Sequence, residues 1–357
     1  MSTTNNTFNL TATAHGAGCG CKIAPQVLKE ILKGSVSQPS KNLLVGNSSN
    51  DDAAVYDLEN GTALISTTDF FMPIVDDAFD FGRIAAANAI SDVYAMGGKP
   101  IMALAILGWP IQKLPTELAQ KVIEGARTVC AKAGIALAGG HSIDTLEPMF
   151  GLAVSGLIDI KDLKKNDTAK EGDLLFLTKA IGVGVLATAQ KRGLLKEEDR
   201  ITLSHQLTQL NSIGEKLGKI KGVTAMTDVT GFGLLGHLIE MAQGSNLSAI
   251  IDYSKVPKIE SVSFYLKQNT IPDATFRNWN AYSAITEISP EVDVMEAFNL
   301  LPDPQTNGGL LFSVTPAAVE QVIELLKNNG LQNFIAPIGK MIKKEEKVIR
   351  IEKSLSS

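Results

Sequence analysis

Between Val223 and Gly244 an apolar run ends in Thr227-Asp228-Val229-Thr230, glycines stand at 231, 233 and 236, and helical spacing runs from Leu234 to Met241. A strand that stops at a glycine turn and feeds a helix is the repeating unit of an α/β fold, and the surrounding chain repeats it. Gly231-x-Gly233-x-x-Gly236, with Asp252 about 20 residues on, fits the dinucleotide turn of a nicotinamide-dependent oxidoreductase. Asp228 argues against that reading. A carboxylate at this strand end would repel a pyrophosphate, whereas one holding Mg²⁺ would attract it. The two readings separate on whether other carboxylates occupy similar positions.

The chain has 357 residues, 45% of them hydrophobic, enough for two domains with their own cores. We expect a mobile Gly/Cys-containing N-terminal segment with a short helix over 1–50, then domains over 51–160 and 170–350. The boundary falls in the charged stretch 159–173. The first domain should hold a hairpin of strands 53–58 and 62–68, helix 79–96, strand 101–107, helix 115–134, and strands 135–138 and 150–158. The second should hold strand 174–178, helix 183–192, one long helix 197–217, strands 247–253 and 310–314, a helix from Pro316 and two short closing strands. Pro25 and Gly34 bracket a short early helix, and 254–300 shows no clear periodicity.

A net charge of −5 offers no footprint for nucleic acid or an anionic membrane. The apolar run 101–111 is too short to span a bilayer, and the polar first fourteen residues show no secretory pattern. Three cysteines make no disulfide framework, so reduced thiols and a cytoplasmic setting are expected.

Asp92 lies in a helix that is apolar nearly all round, and such helices are buried. A buried carboxylate needs a cation, a donor or a proton. Asn88, one turn back on the same face, could help ligate or orient. Asp51 and Asp52 open one strand and Asp69 ends the next, so that with Asp92 and Asp228 carboxylates recur at element ends. Oxygen ligands of this kind suit Mg²⁺, a hard cation that also binds substrate phosphates. No P-loop is present, so metal ions would supply much of the neutralisation of a bound ATP.

In His15-Gly16-Ala17-Gly18-Cys19-Gly20-Cys21-Lys22 the glycines allow the backbone to bend closely round something. The two thiols admit zinc binding, a redox pair, or a nucleophilic or chalcogen-handling cysteine whose pKa Lys22 would lower. His141, after two glycines, is a candidate phosphate or metal contact. His237 reads as structural.

Six motifs together closely resemble the selenophosphate synthetase (selenide, water dikinase) family: residues 15–22, Asp-Asp-Ala-Ala-Val-Tyr at 51–56, Thr-Thr-Asp-Phe-Phe at 67–71, Asn-Ala-Ile-Ser-Asp at 88–92, Ala-Gly-Gly-His-Ser at 138–142 and Thr-Asp-Val-Thr-Gly-Phe-Gly at 227–233. The resemblance implies a two-domain α/β fold like that of aminoimidazole ribonucleotide synthetase and a homodimer joined through its N-terminal sheets. It implies that ATP, selenide and water become selenophosphate, phosphate and AMP, supplying selenium for selenocysteine and selenouridine, with a selenium-delivery protein as a further partner. It also implies catalytic roles for Cys19 and Lys22 and metal ligation by Asp52, Asp92 and Asp228. ATP contacts would come from Lys22, Ser49, Asn50, Asp51, Asp69, Asp92, Gly140, His141 and Ser142. Asn307 stands where the family pattern has serine.

Overall fold

The computed structural model describes residues 8–21, 40–46 and 51–354, with 27, 30, 31 and 33 singly. The early helix expected between Pro25 and Gly34 falls largely outside them. Strands β1 (Leu43–Val45), β2 (Ala54–Asp57), β3 (Thr62–Phe71), β4 (Lys99–Trp109), β5 (Ala136–Asp144) and β6 (Met149–Asp159) form one sheet in the order β1-β2-β3-β6-β4-β5. Glu59 and Gly61, both at positive φ, turn the β2–β3 hairpin. β3 and β6 are antiparallel from Thr62 opposite Asp159 to Phe71 opposite Phe150, while β4 and β5 are parallel.

Helices α1 (Ala78–Ala95) and α2 (Thr116–Lys132) pack together where neither can carry a side chain. A Cβ on Gly82 would lie 1.8 Å from the Val122 carbonyl oxygen, and one on Gly125 would lie 2.0 Å from that of Phe79. α1, capped by Asp77, is buried nearly all round because it touches β3 and β6 of the first sheet and the strand Val223–Asp228 of the second. The first sheet's other side is open: Phe70, Ile101, Leu104 and Ile143 are exposed there, and β5 is exposed along almost its whole length.

The second sheet joins β7 (Leu174–Leu177), β8 (Val223–Asp228), β9 (Leu247–Asp252), β10 (Thr286–Ile288), β11 (Leu310–Val314), β12 (Gly339–Lys343) and β13 (Ile349–Glu352) in the order β10-β13-β9-β12-β7-β11-β8. β8 is an edge strand, antiparallel to β11. α3 (Val183–Lys191) starts after Gly182, at φ +117°.

Three expectations change. The helix expected over 197–217 is two, α4 (Glu197–Thr208) and α5 (Ile213–Gly218). Asn307 Nδ2 donates to the carbonyls of Leu207 and Gln209, and Asn211 Nδ2 to Gly308 O and Ser91 Oγ, so distant partners take the backbone groups that would continue the helix. The 254–300 stretch is ordered, with α7 (Val262–Leu266), α8 (Asp273–Tyr282), β10 and α9 (Val294–Leu300) after α6 (Gly233–Gly244); these are too short to show a period. Leu10, Thr11 and Ala14 are buried rather than loose, while Phe8 is exposed. Leu10 is fully buried, and Thr11 donates from its N–H and hydroxyl to Asp76 Oδ1.

Candidate active site

β8 ends at Asp228, buried at 2% exposure, and β2 begins just after Asp51 and Asp52. α1 presents Asp92 toward β3, where the Thr67 hydroxyl donates to its Oδ2. Thr227 Oγ1 donates to Asp52 Oδ1 at 2.7 Å across 175 residues, tying the second sheet's edge to the start of the first. Burial pushes the Asp52 carboxyl well above the usual carboxylate range, and the charges of Asp228, Asp51 and Asp92 push the same way against the Thr227 hydrogen bond. Asp51 is pushed up to about 7, by burial first and also by Asp167, against N–H donors of Asp52 and Asn166. Asp51 Oδ2 and Asp52 Oδ2 are shielded from water and accept no hydrogen bond from the described residues.

Crowded, shielded carboxylate oxygens are the donor set a hard divalent cation would relieve. Among the described residues no three Asp, Glu, His or Cys side chains already stand round one point. The arrangement is thus a buried cluster of carboxylates drawn from both sheets, which a cation shared with substrate oxygens would relieve.

The Cys19 turn meets the same face of this helix one turn earlier, at Asn88. Gly18 sits at φ +50°, and a Cβ there would lie 2.5 Å from Thr306 Oγ1, so this position requires glycine. Cys19 is buried; its N–H donates to Thr306 Oγ1 at 3.0 Å and its thiol to Asn88 Oδ1 at 3.3 Å. The Asn307 N–H also donates to Asn88 Oδ1, at 2.7 Å, and Asn88 Nδ2 donates to Asp69 Oδ2. Two opposed partners fix which end of the Asn88 amide is oxygen, so Asn88 links Cys19 to Asp69 one turn before Asp92.

Sequence reasoning missed Thr306, Asn307 and Lys179 as site residues. Asn307 holds φ +48°, a conformation asparagine tolerates, and its carbonyl accepts from Lys179 Nζ at 2.8 Å. Burial pushes buried Lys179 down to about 7, with Asp228 opposing. The 302–309 loop brings Thr306 against residues 18–19, a contact that no local pattern displays.

Other expected residues lie elsewhere. Gly140, His141 and Ser142 are exposed on β5, three strands from Asp69 on β3, about 14 Å at normal strand spacing. Gly140 is needed in its place, since a Cβ would lie 2.1 Å from the Ala105 carbonyl oxygen. Lys22, Ser49 and Asn50 lie outside the described residues. His237 is structural, as expected, its Nε2 accepting from the Thr230 N–H.

The glycine turn 231–236 is packed against protein. A Cβ on Gly233 would lie 2.6 Å from the Pro302 carbonyl carbon, and the Leu235 N–H, which a pyrophosphate would need, donates to Leu301 O. Asp252 accepts from Ser254 N and Oγ instead of waiting for a ribose. With β8 at the antiparallel edge of a mixed sheet, the dinucleotide reading loses its structural setting.

Family models for AIR synthase related protein match residues 50–158 (N-terminal domain) and 170–352 (C-terminal domain). A selenide, water dikinase of Haemophilus influenzae strain 86-028NP is 53% identical over 350 residues, covering 97% of this chain and 98% of the relative. The chain belongs to the selenide, water dikinase family. Its Pseudomonas aeruginosa relative is 52% identical over 345 residues, 96% of this chain and 98% of that one. Thiamine-monophosphate kinase from Stenotrophomonas maltophilia shares the fold at TM-score 0.65 and 18% identity, covering 94% of this chain and 98% of that one. So does hydrogenase maturation protein HypE in complex with ATP, at TM-score 0.64 and 17% identity over 97% and 94%. The fold is thus the two-part α/β architecture of AIR synthase, and the enzyme class is the family's ATP-dependent selenophosphate synthesis. None of these comparisons supports a nicotinamide-dependent oxidoreductase.

Proposed function

We propose that the carboxylate cluster and the Cys19 turn are two parts of one site that converts ATP, selenide and water to selenophosphate, phosphate and AMP. The observation that carries this reading is the path from the Cys19 thiol through Asn88 to Asp69, on the helix that also bears Asp92. Asp52, Asp92 and Asp228 would hold Mg²⁺, whose charge would offset that of the triphosphate. Thr67 and Thr227 keep two of these carboxylates aimed. Asp51 and Asp69, with Lys22, Ser49 and Asn50, would contact ATP.

The buried Cys19 turn excludes water while the γ-phosphoryl group passes to selenide, leaving ADP. Water then attacks ADP, releasing phosphate and AMP. Cys19 would hold or deliver selenium and Lys22 would neutralise phosphate charge.

Gly140–Ser142 would reach ATP across a subunit boundary. The exposed apolar side of the first sheet, with Leu104 and Ile143 beside them, supports a homodimer formed there. The family-model spans support domains at about 51–160 and 170–350, with residues 1–50 as a preceding segment. No helix among the described residues is long and apolar enough to cross a membrane; a reduced, cytoplasmic setting suits the thiol, and a selenium-delivery protein would be its partner.

The test is anaerobic incubation with ATP, Mg²⁺ and selenide, followed by phosphorus NMR. Selenophosphate, phosphate and AMP should rise together, and Cys19→Ser should stop selenophosphate formation. A normal rate in that variant would remove the thiol from the mechanism, and ATP binding without turnover would reject the reading.

A further inference from the structure

A cavity of about 370 Å³ adjoins the Cys19 turn, reaching neither Cys19 nor the clustered carboxylates. Gly20 and Thr306 belong to its wall, and three cations line it, Lys191, Arg192 and Arg277, against one acid, Asp273. Cys19 lies one residue behind that wall, bonded to Thr306 through its N–H and to Asn88 through its thiol. The turn therefore stands between the cationic cavity and the carboxylate cluster that Asn88 links to Cys19.

We propose that this cavity receives the selenium substrate as a small chalcogenide anion, hydrogen selenide, and passes it through the Cys19 turn to the thiol. The proposal rests on the active-site reading above and adds the side of approach. Hydrogen selenide is an anion at neutral pH. Approaching past the carboxylate cluster, it would meet Asp51, Asp52, Asp92 and Asp228 together with the phosphate tail of ATP. On the cavity side it meets Lys191, Arg192 and Arg277, and a concave site of one sign raises local counter-ion concentration.

The same cations hold the partition shut. Arg277 Nη2 donates to Gly20 O at 3.0 Å and Lys191 Nζ to Ala14 O at 3.5 Å, bracketing the turn. An arriving anion competes with those carbonyls and loosens the turn when substrate is present. ATP alone offers no such competitor on this side.

Steady-state kinetics with selenide varied at saturating ATP test this in wild type, Arg277→Gln, Lys191→Gln and the double variant. Glutamine keeps an N–H donor for the carbonyl and removes only the charge. The double variant should raise KM for selenide about tenfold, the scale of electrostatic steering, with KM for ATP and kcat unchanged. Added salt should raise the wild-type selenide KM and leave that of the double variant nearly flat. Restoring charge with Arg277→Lys and Lys191→Arg should recover most of the loss. An unchanged selenide KM in the double variant, or equal rises in both KM values, would overturn the proposal. Failure of wild type to form selenophosphate would instead reject the active-site reading.

Discussion

Asp303 shows how one buried group couples the 302–309 loop to pH. Its Oδ2 accepts from the Gly184 N–H and from Gln305 Nε2, and the Val185 N–H also acts on the carboxyl. Burial pushes its pKa from 3.8 to about 8 despite those donors. A carboxyl whose folded pKa is raised binds its proton more tightly in the folded chain. Its contribution is full below the unfolded value and is lost as pH rises through the folded one. The Asp303→Asn variant cannot ionise, so its Tm relative to wild type should climb between pH 5 and 8; a difference flat in pH would contradict this assignment. Thr227→Val removes the donor that aims Asp52, and half-maximal activity should then need about tenfold more Mg²⁺, the usual effect of losing a ligand's supporting hydrogen bond. An unchanged Mg²⁺ requirement would detach Thr227 from the site. The recurrence of Asp51, Asp52, Asp69, Asp92 and Asp228 at element ends and in an apolar helix was legible in the sequence, and the charges of Asp51, Asp92 and Asp228 do act on Asp52. Thr306 and Asn307 were not legible, because what they hold lies 287 and 219 positions away.

Among elements, α1 bears Asn88 and Asp92, and its seat against α2 is set by backbone contact. Gly82→Ala would drive a methyl into the Val122 carbonyl, and we expect a loss of about 1–3 kcal/mol of stability, the cost of overpacking, read as a fall in Tm. An unchanged Tm would mean that the two helices separate freely. The sequence showed α1 well because its apolar run is long and its caps are plain. It misread 197–217 as one helix because the carbonyls that end α4 are taken by the side chains of Asn307 and Lys179, which no local pattern displays. The glycine turn before α6 misled in the opposite sense, since glycines that admit a pyrophosphate and glycines that admit Pro302 look alike in one dimension.

For the whole molecule, the alternation of strand and helix announced two α/β halves, but strand order could not follow from it. β7 pairs with β11 across more than a hundred residues, which also puts β8 at an edge where Asp228 faces the first sheet's Asp52. On the proposed homodimer, the open side of the first sheet would extend the site beyond one chain. Wild type should sediment at twice 38.0 kDa, and Ile143→Asp should give monomers with activity down about tenfold or more, because ATP would lose Gly140–Ser142. Fully active monomers would place the nucleotide within one subunit. On the proposed reading, carboxylates from both sheets would hold Mg²⁺ ions shared with the nucleotide. Mn²⁺ binding in the presence of a non-hydrolysable ATP analogue, followed by the EPR signal of free Mn²⁺, tests it most directly. Asp52→Asn and Asp228→Asn, from opposite halves of the chain, should each weaken nucleotide-dependent Mn²⁺ binding by about tenfold or more. Wild-type affinity in either variant would contradict it.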